Sequence, residues 1–580
     1  MSEPPSERST TGGAGEVPGG GGESARALVR AVASGFTELE EPPASAGSST
    51  EPNGPLGWPG YGVARERARE RTGESESVVC GTARIGGEGQ GGGEYGAEGP
   101  GSGSGGRGAG VEVVLLSFEF GFLGGSLGAR TGDRIVAAYE HARARRLPLV
   151  SLIATGGSRM QEGMVALSQL QRVARESVLT RRAGVPQLAV LRDPATGGGW
   201  ATLGAAADVV LALPGSQVAF AGSRVRPEGA DPTAYTAEGQ YAAGHVDQIV
   251  GQGELGPALE RWLTLLTGAS DTPAPPPAAL TTGAPYDPDP DPDPGPDTDA
   301  DAGRPGTGPS PQTLPAGLLP PDAVRREREP DPRSGQEAVA RARSARRPRA
   351  AAYLDDYFDW REEVRGDRCG GVDEAGMRCG FGRREGRTVA YAAQTGTAAR
   401  PAGFRTAARL IRTADRLGIP VLTLIDTPGA ANDAAAESDG AGPAIADVFA
   451  AVAEATVPVT SLLIGEGGSG GALALAAPGR LWVTPDSYFS VIAPESAAAI
   501  LKRPADQTAA TADDLMLRPQ DVVRLGVARG IVGTGGTGGT GDAAEGDDGA
   551  NSGRDAGGSG DTRGGGEGDG GGGADRSDAA

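Results

Sequence analysis

Apolar positions along this chain gather into short β-branched runs that end in glycine. In "LPLVSLIATGG" (147–157) the run at 150–153 predicts a buried strand, and the glycines after it predict a turn. An alanine-rich stretch of helical character follows. Then comes "VPQLAVLRDPATGGGWATLGAAADVVLALPGSQVAFAG" (185–222), with a second strand, a second glycine turn and another helix. The same order returns in "IPVLTLIDTPG" (419–429) and "VPVTSLLIGEGGSGGALALAAPGRLWVTPDSYFSVIAP" (457–494). Strand alternating with helix predicts a mainly parallel, right-handed α/β layer structure.

The two stretches are one unit written twice. Pro148 and Pro420 are 272 positions apart, as are Pro186 and Pro458, and Gly198 and Gly199 map onto Gly470 and Gly471 at that offset. Each copy puts glycine turns at the carboxyl ends of its strands, where open α/β folds keep their ligand crevices. Glycine clusters often do no more than permit tight turns and close helix packing. Two clusters per copy, held in register across both copies, argue for more.

Composition limits where the folded material lies. Glycine (99) and proline (45) are concentrated outside the repeated units. Residues 1–54 are expected to be disordered, as are the glycine-rich insertion 86–110, the acidic Pro-rich linker 269–346 and the glycine-aspartate tail 534–580. Two domains remain, 55–268 and 347–533, each long enough for its own core. Much of the formal charge of −21 belongs to the linker and tail. The balance opposes non-specific nucleic-acid binding, and an anionic ligand would depend on local arginines because Lys502 is the only lysine. Three cysteines, Cys80, Cys369 and Cys379, are too few for a disulfide framework or a four-cysteine zinc site. No apolar run approaches 18 residues and no signal-like segment opens the chain, so a soluble, cytoplasmic protein without membrane contact is expected.

Three chemistries compete for "IGEGGSGGALALA" (464–476). "DTPG" (426–429) resembles a nucleotide-hydrolase motif, but no glycine-rich loop ends in lysine and serine or threonine, which excludes that chemistry. Gly467 to Gly471 satisfy the G-x-S-x-G pattern of a serine nucleophile. Both histidines, His141 and His245, precede Ser469, whereas the pattern places the histidine after the serine. What remains is a pocket of bare amides. Consecutive glycines at a helix start present open N–H groups, which stabilise an oxyanion without an ionisable side chain. Two copies predict two such pockets.

These motifs, with "TGGSRMQEG" (155–163) and "DPATGGGWATLGAAADVVLALPGSQVAFAG" (193–222), resemble the carboxyltransferase of bacterial acetyl-CoA carboxylase. The first half is similar to its β subunit and the second to its α subunit, here in one chain. The resemblance implies two tandem crotonase-like β-β-α superhelical domains. It also implies transfer of a carboxyl group from carboxybiotin to acetyl-CoA, giving malonyl-CoA for fatty acid biosynthesis. In that family carboxybiotin releases CO2 in the site, the ureido oxyanion takes the acyl α-proton, and the thioester enolate attacks CO2. By matching motifs, Gly197 and Gly198 would hold the enolate oxygen, and Gly470 and Gly471 the ureido oxygen; which pair serves which ligand stays open. Gly156, Gly157, Gly429, Gly468 and Ser469 would line the ligand pockets. Arg159 would contact a CoA phosphate or form a structural ion pair, with Gln161 and Glu162 organising the turn.

Carboxybiotin would come from a separate biotin carboxyl carrier protein, charged by a separate ATP-using biotin carboxylase, since no segment here matches either. A homodimer or higher oligomer is implied, with the active site between the N-half of one protomer and the C-half of another. The chain departs from the family in lacking the zinc ribbon of many β subunits, so no zinc is expected. It departs again at "ANDAAAE" (431–437), which leaves acetyl-CoA or propionyl-CoA open. Rival readings are a biotin-independent acyl-CoA enzyme of the same fold and a non-enzymatic scaffold.

Overall fold

The computed structural model describes residues 23–45, 51–87, 110–280 and 331–533. The expected disorder of the insertion, the middle of the linker and the tail falls on residues outside these, as do 1–22 and 46–50.

Each half is built on an eight-stranded sheet. The first comprises β1 (Ser34–Glu38), β2 (Val78–Ile85), β3 (Val111–Phe118), β4 (Leu149–Thr155), β5 (Gln187–Thr196), β6 (Val209–Ala212), β7 (Val218–Ala219) and β8 (Gln248–Ile249). The second comprises β9 (Trp360–Val364), β10 (Met377–Arg384), β11 (Arg387–Gln394), β12 (Val421–Thr427), β13 (Val459–Gly468), β14 (Leu481–Val483), β15 (Tyr488–Ser490) and β16 (Gly530–Ile531). The sheets run β1-β2-β3-β4-β5-β6-β8 and β9-β10-β11-β12-β13-β14-β16, with β7 on β5 and β15 on β13. In both, the first two pairings are antiparallel and the rest parallel.

The 272-residue register is therefore structural. Ile153 pairs with Leu191 and Thr155 with Ala195; Ile425 pairs with Leu463 and Thr427 with Gly467, and the same irregularity separates the pairs in each copy. Pro148 and Pro420 each accept a backbone bond of 2.9 Å from the neighbouring strand, from Val114 and Ala390. A proline cannot donate to the ladder, but its carbonyl still accepts, which suits the start of a strand.

β3, β4, β5, β11, β12 and β13 are buried almost along their whole length, as parallel strands covered on both faces require. One apolar core joins the halves, from Leu28 and Ile85 through Trp262 to Phe381, Phe404 and Ile411. The Leu255–Leu266 helix carries Trp262, fully buried, into this seam and packs on β2, β3 and β10. Burying an aromatic side chain of this kind contributes about 1.5–3 kcal/mol or more. The backbones meet at Gly244 and Gly366, where a Cβ on Gly366 would lie 2.4 Å from the Gly244 Cα. Buried aspartates at the starts of β6 and β8 also cross the seam. Asp208 accepts from Arg416 at 2.6 Å, and Asp247 takes Arg368, Arg409 at 3.2 Å and the Arg365 N–H at 2.9 Å.

Two expectations of disorder are corrected. Within 1–54, the Ala25–Val32 helix buries Leu28, Val29 and Val32, and β1 forms the sheet edge. The sequence signal there is one short helix and a strand with a single aromatic residue, so tertiary packing supplies the order. Within 269–346, Ala274 and Ala279 pack against Tyr353 and Tyr357, and the Gly335–Ala342 helix against Tyr488. Small side chains read as linker composition, yet they fit tight seams in the second half.

Candidate active site

In the first half the turns after β4 and β5 meet backbone to backbone. Gly197 has φ +63°, and a Cβ built there would stand 3.0 Å from the Gly157 Cα. Any other residue would be strained in conformation and would separate the turns. Gly157 donates its N–H to Thr155 Oγ1 at 3.0 Å, and Thr196 Oγ1 donates to the Thr155 carbonyl at 3.0 Å.

The second half repeats the device. Gly429 donates to Thr427 Oγ1 at 3.1 Å, the counterpart of the Gly157 bond at the 272 offset. A Cβ on Gly468 would fall 2.0 Å from the Pro428 carbonyl oxygen, and one on Gly471 would fall 2.6 Å from the Ala430 nitrogen. Gly470 differs, because a Cβ there would meet nothing within 4 Å. Ser469 has φ +58° and is exposed. The structure thus brings Gly156, Gly157, Gly197 and Gly198 together in one half, and Gly429, Gly468, Ser469, Gly470 and Gly471 in the other.

Each second turn opens a helix: Gly197–Gly199, continued by Trp200–Gly204, and Ser469–Leu473. Neither preceding residue, Thr196 or Gly468, supplies a capping side chain, so the first-turn N–H groups stand open. Gly197 is the exception and corrects the expected role of its amide. Its N–H is spent on the Phe220 carbonyl at 3.1 Å, and that of Gly156 on Gly124 at 2.8 Å. The donor face of the first pocket therefore starts at Gly198, with Gly199 beside it.

Arg159 is corrected as well. It is 1% exposed, and its guanidinium binds both oxygens of Glu76 at 2.6 Å, Glu162 at 3.2 Å and the Ser126 carbonyl at 2.8 Å. With its donors consumed inside the fold, it is a structural ion pair and not a phosphate contact. Burial pushes the Glu76 carboxyl up, but the Arg159 charge and hydrogen bonds outweigh this and hold it below its ordinary value. Glu162 accepts the Ala129 N–H at 2.6 Å and the Tyr61 hydroxyl at 2.5 Å, tying this turn to two helices.

The counterpart network in the second half centres on Asp426 of "DTPG". It is fully buried and binds Arg347 at 2.9 Å, Arg349 at 3.2 Å and the Glu466 N–H at 3.1 Å. It holds the strand end that leads into the glycine cluster. In the departing segment "ANDAAAE", Asp433 caps the Ala434–Ser438 helix and pairs with Arg400 at 3.0 Å.

Sequence reasoning placed Gly199 in register with Gly471 but assigned the donor role to Gly197 instead, and it missed the Ala430 nitrogen beside Gly471, and Glu76. The 272 offset would have found Ala430, the partner of Ser158, since Leu127 bridges Ser158 as Ala399 bridges Ala430. Nothing local marks Glu76.

Exposed apolar side chains follow the glycine turns in the chain or lie on segments paired with them: Met160, Met164 and Phe220 in the first half, Leu473 and Val491 in the second. Two cavities of about 400 and 610 Å³ lie between the halves, and the glycine turns line neither. Gly198, Gly199 and Gly471 are themselves buried, whereas Gly197, Gly429 and Gly470 are half-buried and Gly156 and Ser469 exposed. Among the described residues, no group of three or more His, Cys, Asp or Glu is placed to hold a metal ion. Nor is any helix there long and apolar enough to cross a membrane.

Comparison with known proteins agrees with this geometry. Residues 333–546 match a family described as acetyl co-enzyme A carboxylase carboxyltransferase-like, and 101–255 match the carboxyl transferase domain. The acetyl-coenzyme A carboxylase carboxyl transferase subunits beta/alpha of Saccharopolyspora erythraea are 33% identical, over 80% of this chain and 73% of that protein. A probable biotin-dependent acyl-coenzyme A carboxylase beta3 subunit of Mycobacterium bovis is 32% identical, over 80% and 81%. The hexameric transcarboxylase 12S core shares the fold, with a TM-score of 0.61 over 88% of this chain and 87% of that one, at 18% identity. With two carboxyl transferase domains in tandem, β-subunit-like then α-subunit-like, the chain belongs to the biotin-dependent acyl-CoA carboxyltransferase family.

Proposed function

We propose that the chain transfers the carboxyl group of carboxybiotin to acetyl-CoA, giving malonyl-CoA for fatty acid biosynthesis. A separate biotin carboxyl carrier protein presents the biotin, and a separate ATP-using biotin carboxylase charges it. One observation carries the reading: both halves end parallel strands in paired glycine turns, in one register, with helix-start amides that no side chain caps. The reaction develops negative charge on two oxygens, the thioester enolate and the biotin ureido oxygen. Fixed N–H dipoles serve both, and they need no reorganisation as charge develops. Gly198 and Gly199 are assigned to the enolate oxygen, and Gly470 and Gly471 to the ureido oxygen. Gly156, Gly157, Gly197, Gly429, Gly468 and Ser469 shape the two pockets.

The exposed apolar side chains near both glycine turns support a site completed by a second copy of the chain. Pairing the first-half face of one protomer with the second-half face of another would cover Met160, Met164 and Phe220 as well as Leu473 and Val491.

The test is decarboxylative exchange. Purified protein is mixed with malonyl-CoA and biocytin, and acetyl-CoA is measured. The proposal expects product that depends on both reactants. A parallel arm with methylmalonyl-CoA addresses the propionyl-CoA alternative, which gains weight from the altered segment 431–437 and from the acyl-CoA carboxylase relative. Absence of exchange with either thioester would overturn the proposal.

A further inference from the structure

The larger of the two cavities between the halves is lined by arginine to a degree that the carboxyltransfer reaction does not explain. Arg405, Arg409, Arg412 and Arg416 recur at helical spacing along one face of the Pro401–Leu417 helix. Arg181 and Arg368 join them around a space of about 610 Å³.

Each arginine of the helix stripe has an acidic partner: Asp367, Asp247, Asp447 and Asp208 in order. Arg368 shares Asp247, and Arg181 lies 3.8 Å from Asp208, beyond hydrogen-bond reach. Six guanidiniums thus pair with four carboxylates, and Glu454 adds a more distant negative charge at Arg412, which leaves an excess of positive charge in a partly desolvated space. Arg181 Nε, Arg368 Nε, Arg409 Nε and Arg416 Nη1 have no hydrogen-bond partner and are closed off inside the protein, so a ligand in the cavity would meet the other guanidinium nitrogens. Burial, partly offset by Asp247 and reinforced by Arg409, pushes the Arg368 guanidinium down to about 10. Water filling the cavity would leave the charge excess uncompensated.

The geometry points to a binding site for a small phosphate-type dianion in this cavity, between the two halves and apart from the glycine turns. Guanidinium forks match phosphate oxygens bidentately. The cavity also has room for more than one phosphate group. Because Asp208 and Asp247 belong to the first half and the helix stripe to the second, an anion held here would brace the seam.

Inorganic phosphate and pyrophosphate, at ionic strength held constant with sodium chloride, are suitable probes of the full chain by calorimetric titration and thermal melting. Saturable binding with a raised melting temperature is expected. The double variant Arg181→Gln/Arg412→Gln removes two partly exposed guanidiniums and should bind pyrophosphate at least about tenfold more weakly. Arg26→Gln, whose partners Glu38 and Glu74 lie elsewhere, should bind as the unaltered chain does. Circular dichroism checks that each variant is folded. Absence of saturable binding, or equal binding by the double variant, would overturn the assignment. So would competition between pyrophosphate and malonyl-CoA in the exchange assay, since the cavity would then belong to the substrate site. The site and the carboxyltransfer reading stand or fall separately.

Discussion

Gly470→Ala separates fold from chemistry at the second glycine turn. Gly470 is absent from the positive-φ positions, and a Cβ there meets nothing within 4 Å, so the backbone accepts alanine without strain. Replacing glycine by alanine within a helix is worth about 0.5–1 kcal/mol in its favour, so stability should hold or rise slightly. The same methyl group projects into the space where the ureido oxygen would approach. Alanine keeps the backbone N–H, but the methyl would hold the oxygen away from it. Losing one oxyanion donor in this way slows catalysis about 10²–10³-fold, or about 2.7–4 kcal/mol of transition-state stabilisation. Exchange from malonyl-CoA to biocytin reads the rate, and urea unfolding reads the stability. A stable protein with a rate near the unaltered one would show that the Gly470 amide faces no reacting oxygen. Gly471→Ala is the contrast, because its Cβ would lie 2.6 Å from the Ala430 nitrogen and would force the turns apart.

Further outcomes follow from the same geometry. Gly198→Val should abolish exchange with a moderate loss of stability, since its Cβ would lie 2.4 Å from the flexible Leu170 side chain; near-normal exchange would remove Gly198 from the site. Arg159→Met leaves Glu76 and Glu162 buried without their cation and should cost about 3–5 kcal/mol in denaturant unfolding. Glu76 and Asp247 are both held below their ordinary values of 4.5 and 3.8, so the unfolded chain binds protons more readily. Their stabilisation is complete above those values and is lost as pH falls through the folded pKa values, which thermal melts between pH 7 and 3 should show. Removing 534–580 should leave exchange unchanged, and a large loss would give the tail a role.

The repeated fold was legible because its marks are local. Prolines start the strands, glycines end them, and the offset of 272 survives as strand register. The glycine clusters were legible for the same reason. What local pattern hides is where each polar group finds its partner. The Gly197 amide looks free in "DPATGGGW" until the Phe220 carbonyl returns to it after β7. Arg159 looks like an exposed turn residue until Glu76, on a distant segment, folds over it. The Ala25–Val32 helix is too short to announce itself, and it is set in place when Glu119 accepts the Ala25 N–H at 2.8 Å.

A structure of the assembled protein with an acyl-CoA and a biotin analogue bound tests the central claim most directly. The thioester oxygen should lie within hydrogen-bond distance of the Gly198 or Gly199 amide of one protomer, and the ureido oxygen within reach of Gly470 or Gly471 of another. Thioester and ureido oxygens turned toward side chains or bulk solvent would contradict it.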